Sequence, residues 1–227
     1  KEGKETTLSP LPMYHIFAFA VNLMAMMTIG ANTVLILNAR DIGSIVKAFK
    51  EHPISLMTGV NTLYNTLMNH PDFSKINFSA LKVTVAGGMA LQSSVAERWK
   101  ALTGCGLSEG YGMTEASPVI SVNRVGKIEV GTVGLPLNNV EVKIADDGEI
   151  LARGANVMKG YWNDPKATAE VIDRDKWLHT GDIGIITPKG NVKITDRKKH
   201  ILVTSSGKNI APAPIESLIT QSRYIER

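Results

Sequence analysis

The stretch GYGMTEASP, Gly110 to Pro118, concentrates a phenol, two glycines, a hydroxyl, a carboxylate and a proline in a chain otherwise rich in aliphatic side chains. Glycine lets backbone come close to a ligand, Thr114 offers a hydroxyl donor, and the Glu115 carboxylate can hold a metal ion. A plain surface turn uses the same residues, so the stretch alone leaves both readings open. A second glycine-rich loop, AGGM at Ala86 to Met89, follows an apolar run. Its backbone N–H groups could meet a planar base or an anion, although Gly-Gly after a strand is also a common tight turn. Neither loop carries a familiar nucleotide fingerprint: GxxxxGKS/T and GxGxxG are both absent from the sequence.

Three other stretches bring polar groups to places where they could act. His15, in LPMYHIF, opens a long apolar run and is flanked by Met13, Tyr14, Phe17 and Phe19. A lone histidine at a helix start is ordinarily structural; with these flanks the alternative is the wall of an apolar ligand pocket. In WLHTGD, Asp182 follows a glycine turn, where a carboxylate either closes a β-turn or accepts two hydrogen bonds from a vicinal diol such as ribose. DRKKHILVTSSGKN sets Asp196, Arg197, Lys198 and Lys199 at a junction, where charges are usually solvated but a pivoting linker would also sit. Cys105, between two glycines with no histidine near it in sequence, reads as structural.

The elements that must position these groups follow from periodicity. An apolar helix, IFAFAVNLMAMMTI, is followed by a turn at Gly30-Ala31-Asn32 and a buried strand, TVLIL. Asp41 caps a helix to Lys50 whose inner face is Ile42, Ile45, Val46 and Phe49. ISLMTGV is a strand ending at Gly59, a helix runs from Asn61 to Asn69, and LKVTVAGG is a strand running into glycines. SSVAERWKAL is amphipathic, and GLSEGYGMTE is a further strand and loop. Strand and helix alternate to about residue 125, the pattern of an α/β fold with a mostly parallel sheet flanked by helices. From there NVEVKIA, GEILARG, IGIIT and NVKITD are short strands separated by turns, with one helix capped by Asp164 over Pro165 to Val171. That is a small antiparallel, barrel-like subdomain. The expected divisions are 1–125, an α/β subdomain; 126–196, a β-rich subdomain; and 197–227, a hinge and the start of a C-terminal α+β lid domain.

Composition narrows the classes. The 227 residues, 44% hydrophobic, suffice for a sizeable core. A net charge of +4, with the basic run Arg197 to His200 followed at once by Ile201, Leu202 and Val203, argues against a nucleic-acid partner. A single cysteine fits a reducing compartment, and the polar opening KEGKETTLSP lacks the apolar core of a secretory signal, so a cytoplasmic location is expected. Ile16 to Ala39 carries no charged side chain and is long enough to cross a bilayer, but Asn22, Thr28, Asn32 and Thr33 interrupt it and favour helix–turn–strand in a core.

Taken in order, LPMYHIF, AGGM, GYGMTE, GEILARG…GYW, WLHTGD and TDRKKHILVTSSGKN resemble the AMP-forming acyl-CoA synthetases of the adenylate-forming superfamily. LPMYHIFAF, TGVNTLYN and AERWKALTG look most like bacterial long-chain fatty-acid–CoA ligases. The resemblance implies activation of a carboxylic acid with ATP to an acyl-adenylate and transfer of the acyl group to CoA, with Mg²⁺ as the metal. Carried over to matching positions, Gly87, Gly88 and Met89 would lie along the adenine, Tyr111 would stack on the base, and Gly110 and Gly112 would also belong to the nucleotide site. Thr114 would bond the α-phosphate or acyl oxygen and Glu115 would bind Mg²⁺. Asp182 would accept the ribose hydroxyls, Arg197 would contact ribose or phosphate, His15 and Gly59 would border the acyl pocket, and Lys199 would be the hinge about which the C-terminal domain turns.

The sequence also departs from the family pattern. It contains no phosphate loop of the TSGTTGxPKG kind, and the catalytic lysine of the family's C-terminal domain is not matched. The resemblance is therefore to a partial chain, expected to bind AMP or acyl-adenylate weakly and to turn over little by itself. The alternative is a domain of the same fold that binds or merely scaffolds without catalysis. Fatty acid, ATP and CoA are the expected partners, nucleic acid is not, and peripheral membrane contact, self-association or a complementing fragment are weighed beside them.

Overall fold

The computed structural model describes residues 3–200 and, beyond them, Leu202, Val203, Asn209, Ile210, Pro212 and Ile219. The chain divides into two compact units, Lys1–Leu137 and Asn138–Arg227.

In the first unit, strand β1 (Thr6–Ser9) leads to helix α1, whose π-helical stretch Ala18–Ala25 passes into α-helix at Met26–Thr28. Then come β2 (Asn32–Leu35), α2 (Ile42–Glu51), β3 (Leu56–Gly59), α3 (Asn61–Asn69), β4 (Val83–Ala86), α4 (Ser93–Thr103) and β5 (Leu107–Gly112). β6 (Val119–Val122) and β7 (Leu135–Pro136) complete a seven-stranded sheet in the order β2-β1-β3-β4-β5-β6-β7. The first five strands in that order are parallel, and β6 and β7 add on antiparallel. The expected alternation is present, with one element added: TTLS, polar and unremarked in the sequence, is a buried strand inside the sheet.

Local chemistry explains the helices. Asp41 accepts from the Ser44 N–H at 3.1 Å and caps α2, whose Ile45, Val46 and Phe49 face the core. α4 stops at Gly104, which takes the left-handed conformation (φ 75°) that glycine tolerates. The helices α2, α3 and α4 pack on the sheet around Trp99, Tyr64, Phe73, Met57 and Leu8. Trp99 and Tyr64 meet edge to face with ring centroids 4.7 Å apart. Their polar ends are satisfied by the strands: Trp99 Nε1 donates to Thr84 Oγ1 at 3.2 Å, and the Tyr64 hydroxyl donates to the Val85 carbonyl at 2.9 Å. On the other face α1 is tied down by a wholly buried Asn22, whose amide donates to Ser9 Oγ at 2.8 Å and Thr58 Oγ1 at 2.7 Å. The uncharged run that begins at Ile16 is therefore helix, turn and strand. Among the described residues no helix is long and apolar enough to cross a membrane.

The second unit holds β8 (Val140–Ile144), β9 (Glu149–Gly154), α5 (Pro165–Val171), β10 (Leu178–Ile186) and β11 (Val192–Arg197). The four strands form a curled antiparallel sheet in the order β11-β10-β9-β8, the barrel-like piece expected from the sequence. α5 has the expected bounds, with Asp164 Oδ1 accepting from the Ala167 N–H at 2.9 Å. β10 is longer than the IGIIT run alone suggests, because it begins in LHTGD and absorbs the glycine turn there as an irregularity. Beyond β11, β12 (Leu202–Val203) and β13 (Asn209–Ile210) pair antiparallel; the helix expected from about Pro214 lies outside the described residues.

Candidate functional site

In the first unit a cavity of about 480 Å³ opens beyond the carboxyl ends of β4 and β5, the place where ligands sit in open α/β sheets. Its wall on the α1 side is His15, Ile16, Phe17 and Val21, and Val85, Val119, Val122 and Leu137 supply further apolar surface. Gly87 and Gly88 line it from the loop after β4; Gly110, Tyr111, Gly112, Met113, Thr114 and Glu115 line it from β5 and the turn that follows. The lining is apolar with a few convergent polar groups, the make-up of a small-molecule site.

Two of the glycines sit where a side chain would be crowded, Gly87 by a neighbouring ring and Gly112 by backbone. A Cβ on Gly87 would lie 3.0 Å from the Phe17 ring, so the loop and the helix wall touch only because the side chain is missing. A Cβ on Gly112 would collide with the Pro118 carbonyl, and the Met113 N–H donates to that same oxygen at 2.8 Å, folding the Thr114–Ala116 turn back on the strand. His15 Nδ1 accepts from the Phe17 N–H at 3.2 Å, so the histidine both starts α1 and faces the cavity. Two candidates stand elsewhere. Met89 is 40% exposed and is not among the lining residues, and neither is Gly59, which lies behind Gly87 and accepts its N–H at 3.1 Å.

A residue passed over in the sequence underlies these loops. Glu109 is buried, and its Oε1 accepts the Leu91 N–H at 3.0 Å, just past the AGGM loop. Asn61 Oδ1 accepts the next N–H, that of Gln92, at 3.0 Å. Burial pushes the Glu109 carboxyl up to about 7, offset only in part by the Leu91 N–H. The available signal was alternation: in LSEGYG, Leu107, Glu109 and Tyr111 share one face, and all three are buried.

The second unit carries a different set. Asp182 and Arg197 are directly opposite in the β10–β11 ladder, with Arg197 Nε donating to Asp182 Oδ1 at 3.0 Å. The Asp182 side chain is largely buried and that of Arg197 mostly exposed. Beside them is a second carboxylate that sequence reasoning missed. Glu149 Oε1 accepts the Gly181 N–H at 2.9 Å, and Oε2 lies 3.0 Å from His179 Nδ1 and 2.9 Å from Lys198 Nζ. Burial raises the Glu149 carboxyl, but the bonds from His179, Lys198 and Gly181 outweigh it and hold the group below its ordinary value. Lys199 follows in the short turn Lys198–His200, with its side chain exposed. Among the described residues no group of three or more His, Cys, Asp or Glu side chains is placed to hold a metal ion. A single carboxylate such as Glu115 suits a Mg²⁺ whose other ligands are water and phosphate oxygens.

Comparison with known proteins follows the same lines. A family model described as AMP-binding enzyme matches residues 1–162. A long-chain-fatty-acid–CoA ligase of Salmonella typhimurium is 44% identical over 99% of this chain and 42% of its own length. Its counterpart in Haemophilus influenzae is 44% identical over 92% of this chain and 39% of its own. Among solved structures, ATP-bound MatB from Rhodopseudomonas palustris superposes with a TM-score of 0.86 at 26% identity, over 97% of this chain and 45% of that one. The chain thus spans about two fifths of the length of the curated relatives it matches.

Proposed function

The chain belongs to the AMP-binding enzyme family, and we propose that it carries the acyl and adenine site of a long-chain fatty-acid–CoA ligase together with its ribose-binding pair. The observation that supports this most is the grouping of His15, Gly87, Gly88, Tyr111, Thr114 and Glu115 around one largely apolar cavity. The parent reaction has two steps. A fatty-acid carboxylate attacks the α-phosphorus of ATP and expels pyrophosphate, leaving an acyl-adenylate; the CoA thiol then attacks the acyl carbon and AMP departs.

In this reading the base lies between the Gly87-Gly88 backbone and the Tyr111 ring. The Thr114 hydroxyl donates to the α-phosphate or acyl oxygen, where negative charge builds up. Asp182 accepts the ribose hydroxyls, and Arg197, bonded through Nε to Asp182 Oδ1, contacts ribose or phosphate. Glu115 is the residue that would hold Mg²⁺, which when bound screens the phosphate charge. The acyl chain leaves past His15, Phe17 and Val21. Lys199 serves as the pivot, and divisions near residues 125 and 196 separate acyl and adenine site, β-rich subdomain and lid. CoA is the second substrate and the cytoplasm the expected location.

The 227 residues contain no phosphate loop of the family's kind, which favours binding with little turnover for the chain by itself. Calorimetry with AMP, with and without a long-chain fatty acid, tests the reading. Saturable AMP binding that is lost in Asp182→Ala supports a working nucleotide site, and no binding in the wild type leaves a scaffold. Robust ATP–pyrophosphate exchange by the same chain would overturn the expectation of low turnover.

A further inference from the structure

We propose that Glu149 is a positioning residue for the diol-binding pair, acting through the irregularity in β10 without touching the ligand. The inference rests on the reading of Asp182 and Arg197 given above. Between His179 and Ile183, strand β10 shifts register against β9, so the ladder cannot hold the backbone there. Gly181 stands in that gap at φ 73°, a conformation that glycine enters freely and other residues rarely do. Its N–H goes to Glu149 Oε1 at 2.9 Å in place of a ladder partner.

The other oxygen of the same carboxylate reaches across to the neighbouring strand's end, where Lys198 Nζ donates at 2.9 Å. One buried carboxylate therefore grips the residue before Asp182 and the residue after Arg197. Those are the outer neighbours of a directly paired Asp182 and Arg197. The grip is itself braced: Asp147 Oδ2 meets Lys198 Nζ at 2.7 Å, and His179 lies between Glu149 at 3.0 Å and Asp173 at 3.8 Å. Take the carboxylate away and the Gly181 N–H loses its acceptor inside the sheet, while Lys198 keeps only the half-exposed Asp147. The backbone that carries Asp182 then loses its fixing on the β9 side, and the aim of the carboxylate at a vicinal diol loosens.

The test is selectivity for the diol, which a merely structural carboxylate would not control. Affinities of the 227-residue chain for AMP and for 2′,3′-dideoxy-AMP are measured by calorimetry in wild type, Asp182→Ala, Glu149→Ala and Glu149→Gln. With charge-assisted bonds at stake, the wild type should prefer AMP by about tenfold or more, and Asp182→Ala should bring the ratio to about one. Both Glu149 variants should cut the preference to about threefold or less while the affinity for the dideoxy nucleotide stays within about twofold of wild type. Glu149→Gln removes the charge that grips Lys198 at the end of β11 and decides the matter where Glu149→Ala does not fold. Full preference in Glu149→Gln, or equal loss of both nucleotides, overturns the positioning role and leaves the Asp182 reading standing. A wild type that binds neither nucleotide or shows no preference, or an Asp182→Ala that keeps it, overturns that reading and the positioning role together.

Discussion

Among the described residues each unit buries one glutamate beside its candidate groups, and the two are held in opposite ways. Glu109, 7% exposed under the loops of the first unit, has the Leu91 N–H as its hydrogen-bond donor, and burial lifts it to about 7. Glu149, 3% exposed in the second, takes Gly181, His179 and Lys198 and is held below its ordinary value. The signs are opposite because two causes pull together: the Glu109 carboxyl is the more heavily desolvated and has one neutral donor, whereas Glu149 has three donors, one of them the Lys198 ammonium. The same contrast runs through the groups nearby. The first unit presents glycine backbone and aliphatic wall around a cavity, whereas the second presents a paired acid and base beside a charged cluster.

The comparison can be broken from its foundations upward. Trp99→Ala empties the centre of the first unit's core and should cost about 4 kcal/mol in urea or guanidinium unfolding, the largest effect expected. Glu109→Gln comes next, and its sign depends on pH. The unfolded carboxyl ionises near 4.5 and the folded one near 7, so ionisation favours the unfolded state progressively as pH rises through that window. The glutamine variant should match wild type near pH 4 and gain up to about 3 kcal/mol at pH 8, since each pKa unit is about 1.4 kcal/mol. A variant less stable than wild type at pH 8 would show that the first unit uses the charge.

Glu149→Gln should do the reverse. A depressed folded value stabilises above pH 4.5 and is lost as pH falls through it, so the variant should be about 2 kcal/mol less stable at neutral pH and converge on wild type in acid. Thermal melts from pH 3 to 8 on both variants give two curves of opposite slope. Curves that slope the same way would erase the contrast between the units. The smallest stability effect belongs to Arg197→Ala: with its side chain 61% exposed, losing the pair should cost less than about 1 kcal/mol while AMP affinity falls.

Legibility in the sequence followed how local the cause was. α3 and α5 were readable to their ends because Pro71, Asp164 and Pro165 act on their own neighbours. β1 was not, because the value of TTLS as a buried strand comes from distant partners: Ser9 meets Asn22, and the Thr6 N–H meets Ser55 across the sheet. WLHTGD read as a turn because of Gly181, yet the strand continues through it once Glu149 supplies an acceptor. The cavity residues were legible as motifs, since their types are fixed by close contacts such as Gly112 with Pro118. Glu109 and Glu149 were not, because their donors are 18 to 49 residues away in sequence.

The central claim is that an adenylate sits in the first unit's cavity against the AGGM and GYGMTE loops. Photolabelling with 8-azido-AMP, followed by peptide mapping, addresses it directly. The account predicts saturable labelling, blocked by excess AMP, on the peptides that contain Gly87–Met89 or Tyr111. Labelling confined to other peptides, or labelling that AMP does not block, would contradict it.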